Sequence, residues 1–298
     1  MKNAIARATA LMVRPLLRGG APRRLRARLH RETWRWINWR GLEFVARTEA
    51  GARMRLNSCD LIQQYIFWFG VWEPNLTAFL NRILRPGDTF VDVGANIGYF
   101  TLLAARRVGP TGHVVAIDAA PPIFGLLQAN LAMNETAMVR AVNAAVTGET
   151  GDVTITMGPD DNIGQTSLGG GTGKAYRVVG EPLTSLLTPD ELAAARAFKI
   201  DVEGAEAPVL NDLATHVDRL RHDVAIIVEI SPAAFQASGL DLQAVLDRFT
   251  NRGFVPYRLA NSYGVQEYID RDHGRPPERI ETWPAEQFDL LLVRGMDL

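Results

Sequence analysis

The segment TFVDVGANIG, residues 89–98, is the part of the sequence that most constrains the fold. An apolar run with strand character ends in Asp92, and a tight turn containing Gly94, Asn96 and Gly98 follows it. Apolar residues at helical spacing then predict a helix. A strand, a glycine turn and a helix N-terminus together form a binding site for a nucleotide-like cofactor, because the free N–H groups at the helix start face the ligand.

A second acid at a strand end supports this interpretation. The predicted strand at 113–118 ends in Asp118, about twenty residues beyond the glycine turn. A carboxylate at that position accepts hydrogen bonds from both hydroxyl groups of a ribose. The alternative is that Asp118 caps the helix predicted to begin at 122.

Strands and helices alternate through the rest of the chain. We predict strands at 89–93, 113–118, 138–143, 197–202, 225–230, 254–259 and 288–294. We predict helices at 98–108, 122–133, 205–216 and 240–251. This alternation predicts an α/β fold, with a parallel sheet covered by helices on both faces and its ligand at the carboxyl ends of the strands.

The regions outside this alternation are assigned from local patterns. A β-hairpin is predicted over 42–56, and one helix over 60–84. An inserted β-pair at 152–157 and 176–180 flanks a glycine-rich segment, 164–173, which we predict to be a mobile loop that closes over the site. The proline-containing tail at 270–287 is predicted to be irregular.

Several motifs, taken together, resemble those of the FkbM-type S-adenosylmethionine-dependent methyltransferases. They are GVWEP (70–74), RPGDTFVDVGANIGYFTLLAA (85–105), Asp118, NAAVTGETG (143–151), KIDVEGAE (199–206) and IVEIS (227–231). The resemblance covers roughly residues 60–295. It implies a Rossmann-like class I methyltransferase sheet of seven mostly parallel strands, S-adenosyl-L-methionine as cofactor, and methyl transfer to a hydroxyl of a sugar, glycolipid or natural product.

The resemblance also implies a set of cofactor-binding residues. They are Glu73, Asp92, Gly94, Asn96, Gly98, Tyr99, Asp118, Ala119 and Asn143. Asp92 is predicted to order the glycine turn or to cap the following helix, and Glu73 to close over the charged end of the cofactor or to start a helix. Where the family has glutamate and proline, this chain has Asp118 and Ala119. Glu149 or backbone groups are predicted to replace an acid that the family places near the adenine.

Lys199, Asp201 and Glu203 form the predicted catalytic group. Alternate residues of a strand point to one side, and three charged side chains there cannot be buried unpaired without a large cost. Asp201 or Glu203 is predicted to orient or deprotonate a substrate hydroxyl, with Asp201 the first candidate. Lys199 is a candidate base if burial lowers its pKa. The alternative is an ion-pair network that holds the strand ends together.

Other residue types limit the remaining chemistry. Glu229 ends the next strand, where substrate binding and structural pairing are equally open. The five histidines show no paired ligand spacing, so no metal is predicted, although Asp201, Glu203 and Glu229 offer oxygen ligands. The one cysteine, Cys59, rules out an intrachain disulfide and fits a cytoplasmic location.

The chain is predicted to divide into a basic N-terminal extension with a short hairpin, 1–58, and a methyltransferase domain, 59–298. Residues 1–40 contain eleven Lys and Arg but one acid, Glu32. On a helical wheel, one side of the first helix is apolar and contains Ile5, Met12, Val13 and Leu16. The opposite side is basic and contains Arg7, Arg14 and Arg18, with Leu11 as the exception. Such a pattern is typical of segments that bind the membrane surface, here the inner face. The alternatives are a helix packed on the protein with its arginines in solvent, and a transit peptide.

Three classes of function remain open at this stage. An O-methyltransferase is favoured by the ordered motifs. A non-catalytic adaptor that docks on membranes through the basic extension would keep the same fold. A nicotinamide-dependent oxidoreductase is less favoured, because the three-glycine fingerprint is absent. No nucleic-acid partner is expected, since the basic extension alone is weak evidence for one.

Overall fold

The protein is described from a computed structural model that covers residues 2–168, 173–261, 263–271 and 273–296. The α-helices are Lys2–Arg18 (α1), Arg23–Ile37 (α2), Leu61–Phe69 (α3), Pro74–Ile83 (α4), Tyr99–Val108 (α5), Pro121–Leu131 (α6), Leu183–Leu186 (α7), Pro189–Ala194 (α8), Glu206–Thr215 (α9), Pro232–Ser238 (α10), Leu242–Thr250 (α11) and Val265–Asp270 (α12). The strands are Glu43–Arg47 (β1), Arg53–Asn57 (β2), Thr89–Val93 (β3), His113–Asp118 (β4), Val139–Asn143 (β5), Ala145–Val146 (β6), Gly151–Thr156 (β7), Ser167–Leu168 (β8), Ala175–Glu181 (β9), Ala195–Ile200 (β10), Ala225–Ile230 (β11), Val255–Leu259 (β12), Glu278–Arg279 (β13) and Phe288–Val293 (β14).

The central sheet has the strand order β13-β12-β14-β11-β10-β3-β4-β5. Neighbours from β11 through β10, β3 and β4 to β5 are parallel, whereas β14 is antiparallel to both β11 and β12. The predicted Rossmann-like fold with one antiparallel strand among seven is therefore confirmed, and the two-residue β13 adds an eighth at the edge. In the sheet, β4 lies on one side of β3 and β10 lies on the other, so the strand order reverses between β3 and β10. A ligand site is expected at the carboxyl ends of the strands at such a point.

Burial explains why the strand predictions succeed. All five residues of β3 are buried, as are all residues of β4 except the first. Continuous apolar runs of this kind fit a parallel sheet that is covered on both faces.

The predicted strand at 197–202 was too long at its carboxyl end. The Asp201 N–H still donates to the Val93 carbonyl at 3.0 Å, but the chain then turns through the positive φ angles of Glu203 and Gly204.

Two predicted segments differ from the structure. The single helix predicted over 60–84 is two helices, because Gly70 adopts a left-handed conformation that ends α3 and Pro74 begins α4. The predicted loop at 164–173 contains part of a 3₁₀ turn, Ile163–Gln165, and strand β8, while its residues 169–172 lie outside the described ones. β8 joins β6, β9 and β7 in a second sheet, which includes the predicted inserted β-pair.

The N-terminal extension shares a hydrophobic core with the rest of the protein. Ala6, Ala10 and Val13 of α1 are buried in the same cluster as residues of α3, and the predicted hairpin is present as β1 and β2. The division at residue 58 stays a prediction. Within the described ranges, the structure contains no helix long and apolar enough to cross a membrane.

Candidate active site

A cavity of about 630 Å³ opens among the residues that the structure describes. It lies at the carboxyl ends of β3, β4, β10 and β11, where the strand order predicts a ligand. Its volume falls within the range of small-molecule sites, roughly 300–1,000 Å³. The predicted residues that line it are Glu73, Gly94, Asn96, Asp118, Ala119, Asp201, Glu203 and Glu229.

The glycine turn after β3 is shaped by contacts within the protein. Gly94 has a φ of 75°, and a Cβ there would lie 1.7 Å from the Asp201 carbonyl oxygen. Gly98 has a φ of 90°, and a Cβ there would meet Leu127 at 2.6 Å. Contacts within the protein are therefore sufficient to require glycine at both positions, and the expectation that glycine also lets the backbone approach a ligand closely stays a prediction. Gly94 lines the cavity, whereas Gly98 packs beneath it.

Asp118 joins the ends of β3 and β4. Its Oδ2 accepts the Asn96 N–H at 2.8 Å, and its Oδ1 accepts the Ala120 N–H at 3.0 Å. Burial outweighs these bonds and raises the pKa of Asp118 to about 7. Asn143 lies outside the cavity lining, where its side-chain amide donates to the Asp118 carbonyl at 2.8 Å and fixes the end of β4.

Asp92 and Tyr99 support the site from below rather than line it. Asp92 is fully buried, and its Oδ2 accepts from the Thr101 hydroxyl in the first turn of α5 at 2.6 Å. Its Oδ1 has no hydrogen-bond partner among the residues described. The Tyr99 hydroxyl lies 3.1 Å from that of Thr77. The structure thus favours a helix-fixing role for Asp92 and does not place Tyr99 at the cavity.

One part of the cavity, here called the apolar slot, is lined by apolar side chains. Its walls come from four elements of the chain: Ile117, Ile123, Ala144, Ala145, Val146 and Ile155. The sequence did not identify this slot, since its residues read as ordinary core positions. Glu149, the predicted substitute acid, is exposed and absent from the lining.

Lys199 and Asp201 form an ion pair at the end of β10. Lys199 is buried, its Nζ lies 3.0 Å from Asp201 Oδ2, and it packs over the Phe100 ring at 5.3 Å. Burial alone would lower the pKa of Lys199, but the carboxylates of Asp201, Asp92 and Glu73 outweigh it, so the pKa is raised. Lys199 therefore stays protonated, and the prediction that it is a base fails.

Glu203 lines the cavity two residues after Asp201. It adopts a φ of 20° in the turn that follows β10. Burial, followed by the charges of Asp201, Glu229 and Glu206, raises the pKa of Glu203 to about 7. Glu206 holds this turn in place, because its carboxylate accepts the Gly204 N–H at 3.1 Å.

Glu73 lines the same cavity as these carboxylates. It has a φ of 41°, and its backbone N–H donates to the Tyr268 hydroxyl at 3.2 Å. Burial raises the pKa of Glu73 well above its usual range, although the charge of Lys199 acts against this. The residue both precedes helix α4 and faces the cavity.

A second cavity of about 400 Å³ adjoins the first and shares Glu229, Tyr263 and Gln287 with it. Glu229 on β11 is the direct partner of Asp289 on β14, and both carboxyls have raised pKa values, Asp289 reaching about 7, chiefly through burial. The sequence analysis missed Asp289 and Tyr263. The signal was available for Asp289, because the first residues of an antiparallel strand lie at the edge where parallel neighbours end.

The predicted absence of a metal site stays a prediction. Among the described residues, no group of three or more His, Cys, Asp or Glu side chains is placed to hold a metal ion.

Comparison with known proteins identifies the family. A model of the methyltransferase FkbM domain matches residues 92–256, more than half of the chain. The chain belongs to the FkbM methyltransferase family. S-adenosylmethionine, the predicted cofactor, is the methyl donor of this family, and the oxidoreductase alternative loses its support.

Individual relatives match over shorter or more divergent stretches. The 31-O-demethyl-FK506 methyltransferase FkbM of Streptomyces tacrolimicus is 42% identical over 81 residues, which are 27% of this chain and 30% of that protein. Methyltransferase sdnD of Sordaria araneosa is 25% identical over 247 residues, with 71% of this chain and 83% of that protein covered. A solved FkbM methyltransferase from Methylobacillus flagellatus shares 13% identity over 78% of this chain and 52% of its own, with a TM-score of 0.44. The match thus spans less than a third of the Streptomyces relative.

The cavity of this FkbM methyltransferase suits the cofactor that the family uses. S-adenosylmethionine combines a flat aromatic adenine, a ribose with two hydroxyl donors, a positively charged sulfonium, and an amino-acid end that has an ammonium and a carboxylate group. The apolar slot, Asp118 and the surrounding carboxylates offer a matching environment for the adenine, the ribose and the positive charges, respectively.

Proposed function

We propose that this protein is an O-methyltransferase that acts on a hydroxyl of a sugar, glycolipid or natural product. The observation that carries this proposal is the group of carboxylates Asp201, Glu203 and Glu229 in the wall of one cavity. Oxygen methylation requires a hydroxyl group to lose its proton, and a carboxylate with a pKa near 7 is suited to accept it.

The cofactor half of the cavity would bind by complementarity of charge and polarity. Asp118 would accept the ribose hydroxyls, since it lines the cavity at the end of β4 and each of its oxygens can accept a further hydrogen bond beside those from Asn96 and Ala120. The apolar slot would enclose the adenine. Glu73 lines the same cavity, and would face the ammonium group at the amino-acid end.

The acceptor half would place the hydroxyl between Asp201 and Glu203. Asp201 is held by Lys199, so it would accept a hydrogen bond from the acceptor without needing to take its proton. Glu203 has no such cation within bonding distance in the described structure, and would take the proton. Alignment of acceptor and donor supplies roughly 7–11 kcal/mol in oriented reactions. Proton removal adds a factor of about 10²–10⁴.

The chemistry of the cofactor limits what the protein must add. Bound S-adenosylmethionine supplies an electrophilic methyl group on its sulfonium. The chain therefore needs to orient the acceptor, hold its proton and exclude water, and the second sheet above the cavity is positioned for water exclusion.

The test is methyl transfer from radiolabelled S-adenosylmethionine to a panel of hydroxylated glycans, glycolipids and polyketides. Each acceptor is paired with its deoxy analogue and with an amine of the same skeleton. We expect label on the hydroxylated member alone. Label on the amine alone would contradict oxygen transfer, and the absence of cofactor binding by calorimetry would contradict the methyltransferase activity itself.

A further inference from the structure

Three arginines of helix α1 bind backbone carbonyls of the protein, whereas a solvated basic helix would point its arginines into solvent. Arg7 donates to the Glu43 carbonyl, Arg14 donates to the Phe67 carbonyl at 2.5 Å, and Arg18 donates to the Arg47 carbonyl at 2.8 Å. Arg14 also packs over the Phe67 ring at 5.4 Å, and burial lowers its pKa to about 10. The arginines thus attach α1 to the protein. The predicted alternative of a helix packed on the protein agrees with the buried Ala6 and Ala10, but Arg14 and Arg18 are half-buried rather than in solvent, and only Arg7 of the three is exposed.

This attachment turns an apolar side of α1 outward. At 100° per residue, the outward sector of Lys2–Arg18 is formed by seven residues. They are Ala4, Ile5, Ala8, Leu11, Met12, Pro15 and Leu16, all exposed. Met12 is 67% exposed and Ile5 is 52% exposed. Within this helix, that sector contains no polar side chain.

Helix α2 and the turn after it add aromatic and basic groups to the same N-terminal layer. Trp39 is 74% exposed, and Trp36 and Leu25 are also exposed. Beside Leu25 and Trp36 on the helical wheel lies a stripe of exposed arginines: Arg24, Arg28, Arg31 and Arg35. Among the described residues, only Arg31 of this stripe makes an ion pair, a 3.6 Å contact with the neighbouring Glu32.

We propose that this α1–α2 surface, formed by the seven outward residues of α1 together with Leu25, Trp36, Trp39 and the arginine stripe, docks on a membrane that contains anionic lipids. Apolar side chains would enter the boundary of the acyl chains, the indoles would lie at the level of the headgroups, and the arginines would meet lipid phosphates. The protein would lie on the membrane without spanning it.

The charge pattern favours lipid over a second copy of this chain. A symmetric dimer through the α1–α2 surface would bring like-charged arginine stripes towards each other, because the same patch contributes from both subunits. An anionic bilayer supplies the opposite charge over an extended area, and each basic residue near such a surface strengthens its binding.

Sedimentation with vesicles tests this proposal. The full chain is mixed with vesicles of phosphatidylcholine alone, or of phosphatidylcholine and phosphatidylglycerol in equal parts. We expect binding to the anionic vesicles to be at least about tenfold stronger, and to weaken as salt is added. Equal binding to both vesicles, or no binding to either, would overturn the proposal.

Two variants separate the apolar and basic contributions. The triple change Ile5→Gln, Met12→Gln, Leu16→Gln should weaken vesicle binding by about tenfold or more, because it removes the inserted side chains. The change Arg24→Gln, Arg28→Gln, Arg35→Gln should remove most of the preference for anionic lipid. Val179→Gln is the control, since Val179 is an exposed apolar residue of comparable exposure that lies on β9, outside the N-terminal extension. Vesicle binding that persists in both multiple variants would contradict the assignment.

A second copy as the occupant gives a different result. The purified chain would then be a dimer that the triple glutamine variant converts to a monomer, with no binding to vesicles. Methyl transfer to a water-soluble acceptor is measured in parallel. It should be retained in the triple variant, so that failure of membrane docking and failure of the methyltransferase assignment are read separately.

Discussion

Backbone strain among the residues of this molecule is concentrated in the candidate active site. Four non-glycine residues in the described chain have positive φ angles, and three of them, Glu73, Asn96 and Glu203, line the large cavity. Such conformations cost about 1–3 kcal/mol each and persist where the surrounding structure imposes them. The cost is consistent with side chains that are positioned for a ligand rather than for stability.

Asp118 offers a direct test of the cofactor half. Asp118→Asn should weaken S-adenosylmethionine binding by about ten- to a hundredfold, because hydrogen bonds to a charged acceptor are worth roughly 1.5–3 kcal/mol. Calorimetric titration measures the change, with Asp152→Asn on the exposed β7 as control. Since the carboxylate accepts best when ionised and its pKa is about 7, wild-type affinity should rise as pH increases through neutrality. An unchanged affinity in Asp118→Asn would contradict the ribose role.

Glu203 is the corresponding test of the acceptor half. Glu203→Gln should lower kcat by about 10²–10⁴, the contribution of a positioned base, while cofactor affinity stays within a few-fold. The rise of wild-type kcat with pH should centre near 7 and disappear in the variant, because the pKa of Glu203 is about 7. A variant that keeps this pH profile would transfer the role of base to another group, with Asp201 next.

At the scale of elements, the second sheet is attached to the rest of the fold through Asp60. This residue is 2% exposed, and its Oδ1 accepts the Gln63 N–H at 2.8 Å, capping α3. Its Oδ2 accepts the Ile163 N–H at 2.9 Å, from the 3₁₀ turn in the cavity wall. One carboxylate therefore joins a fixed helix to the segment that covers the cofactor site.

Asp60→Ala should release that segment as well as destabilise the helix. Loss of the cap costs about 0.5–2 kcal/mol, and amide hydrogen exchange over residues 157–168 should increase, with weaker cofactor binding. Asp241→Ala is the matched control, because Asp241 caps α11 through the Gln243 N–H at 2.9 Å and has no part in the cavity. Comparable exchange over 157–168 in both variants would show that Asp60 has no special link to the cover.

Elements with local signals were predictable from sequence, and those that depend on distant partners were not. The bounds of β3, β4 and β11 follow from apolar runs that end at turn residues. β8 and β13 contain two residues each and exist only through pairing with β7 and β12. The candidate site divides in the same way, because the motif residues were found from the sequence, whereas Tyr263 lies outside every motif and reaches the cavity only through tertiary packing. The orientation of α1 also depended on carbonyl groups far along the chain.

For the molecule as a whole, His30 links the attachment of the N-terminal extension to pH. Its ring is buried, stacks near Phe69 at 5.3 Å and Trp34 at 5.1 Å, and has no hydrogen-bond partner for Nε2 in the described structure. Burial lowers the pKa of His30 to about 4. The unfolded chain therefore binds a proton at this position that the folded chain rejects between about pH 6.5 and 4.

His30→Phe should reduce the loss of stability on acidification. The wild-type contribution falls as pH decreases through this window, by about 2 kcal/mol at about pH 5, and the variant lacks it. The measurement is the difference in the free energy of unfolding between wild type and variant, from urea unfolding at about pH 7.5 and about pH 5. Carboxyls with raised pKa values, such as Asp118, produce the opposite trend with pH, but they do so in both proteins and cancel in this difference. A difference that does not change with pH would exclude His30 as the source.

The contact between Gly94 and the Asp201 carbonyl links the two halves of the reaction. With no room for even a methyl group between them, the turn that would hold the methyl donor and the strand end that would hold the acceptor cannot shift independently. The distance across which the carbon must travel is then a property of the scaffold, established before either reactant arrives. Diversification of acceptors would be expected to proceed through the covering sheet and the adjoining cavity, because both can change without altering that distance.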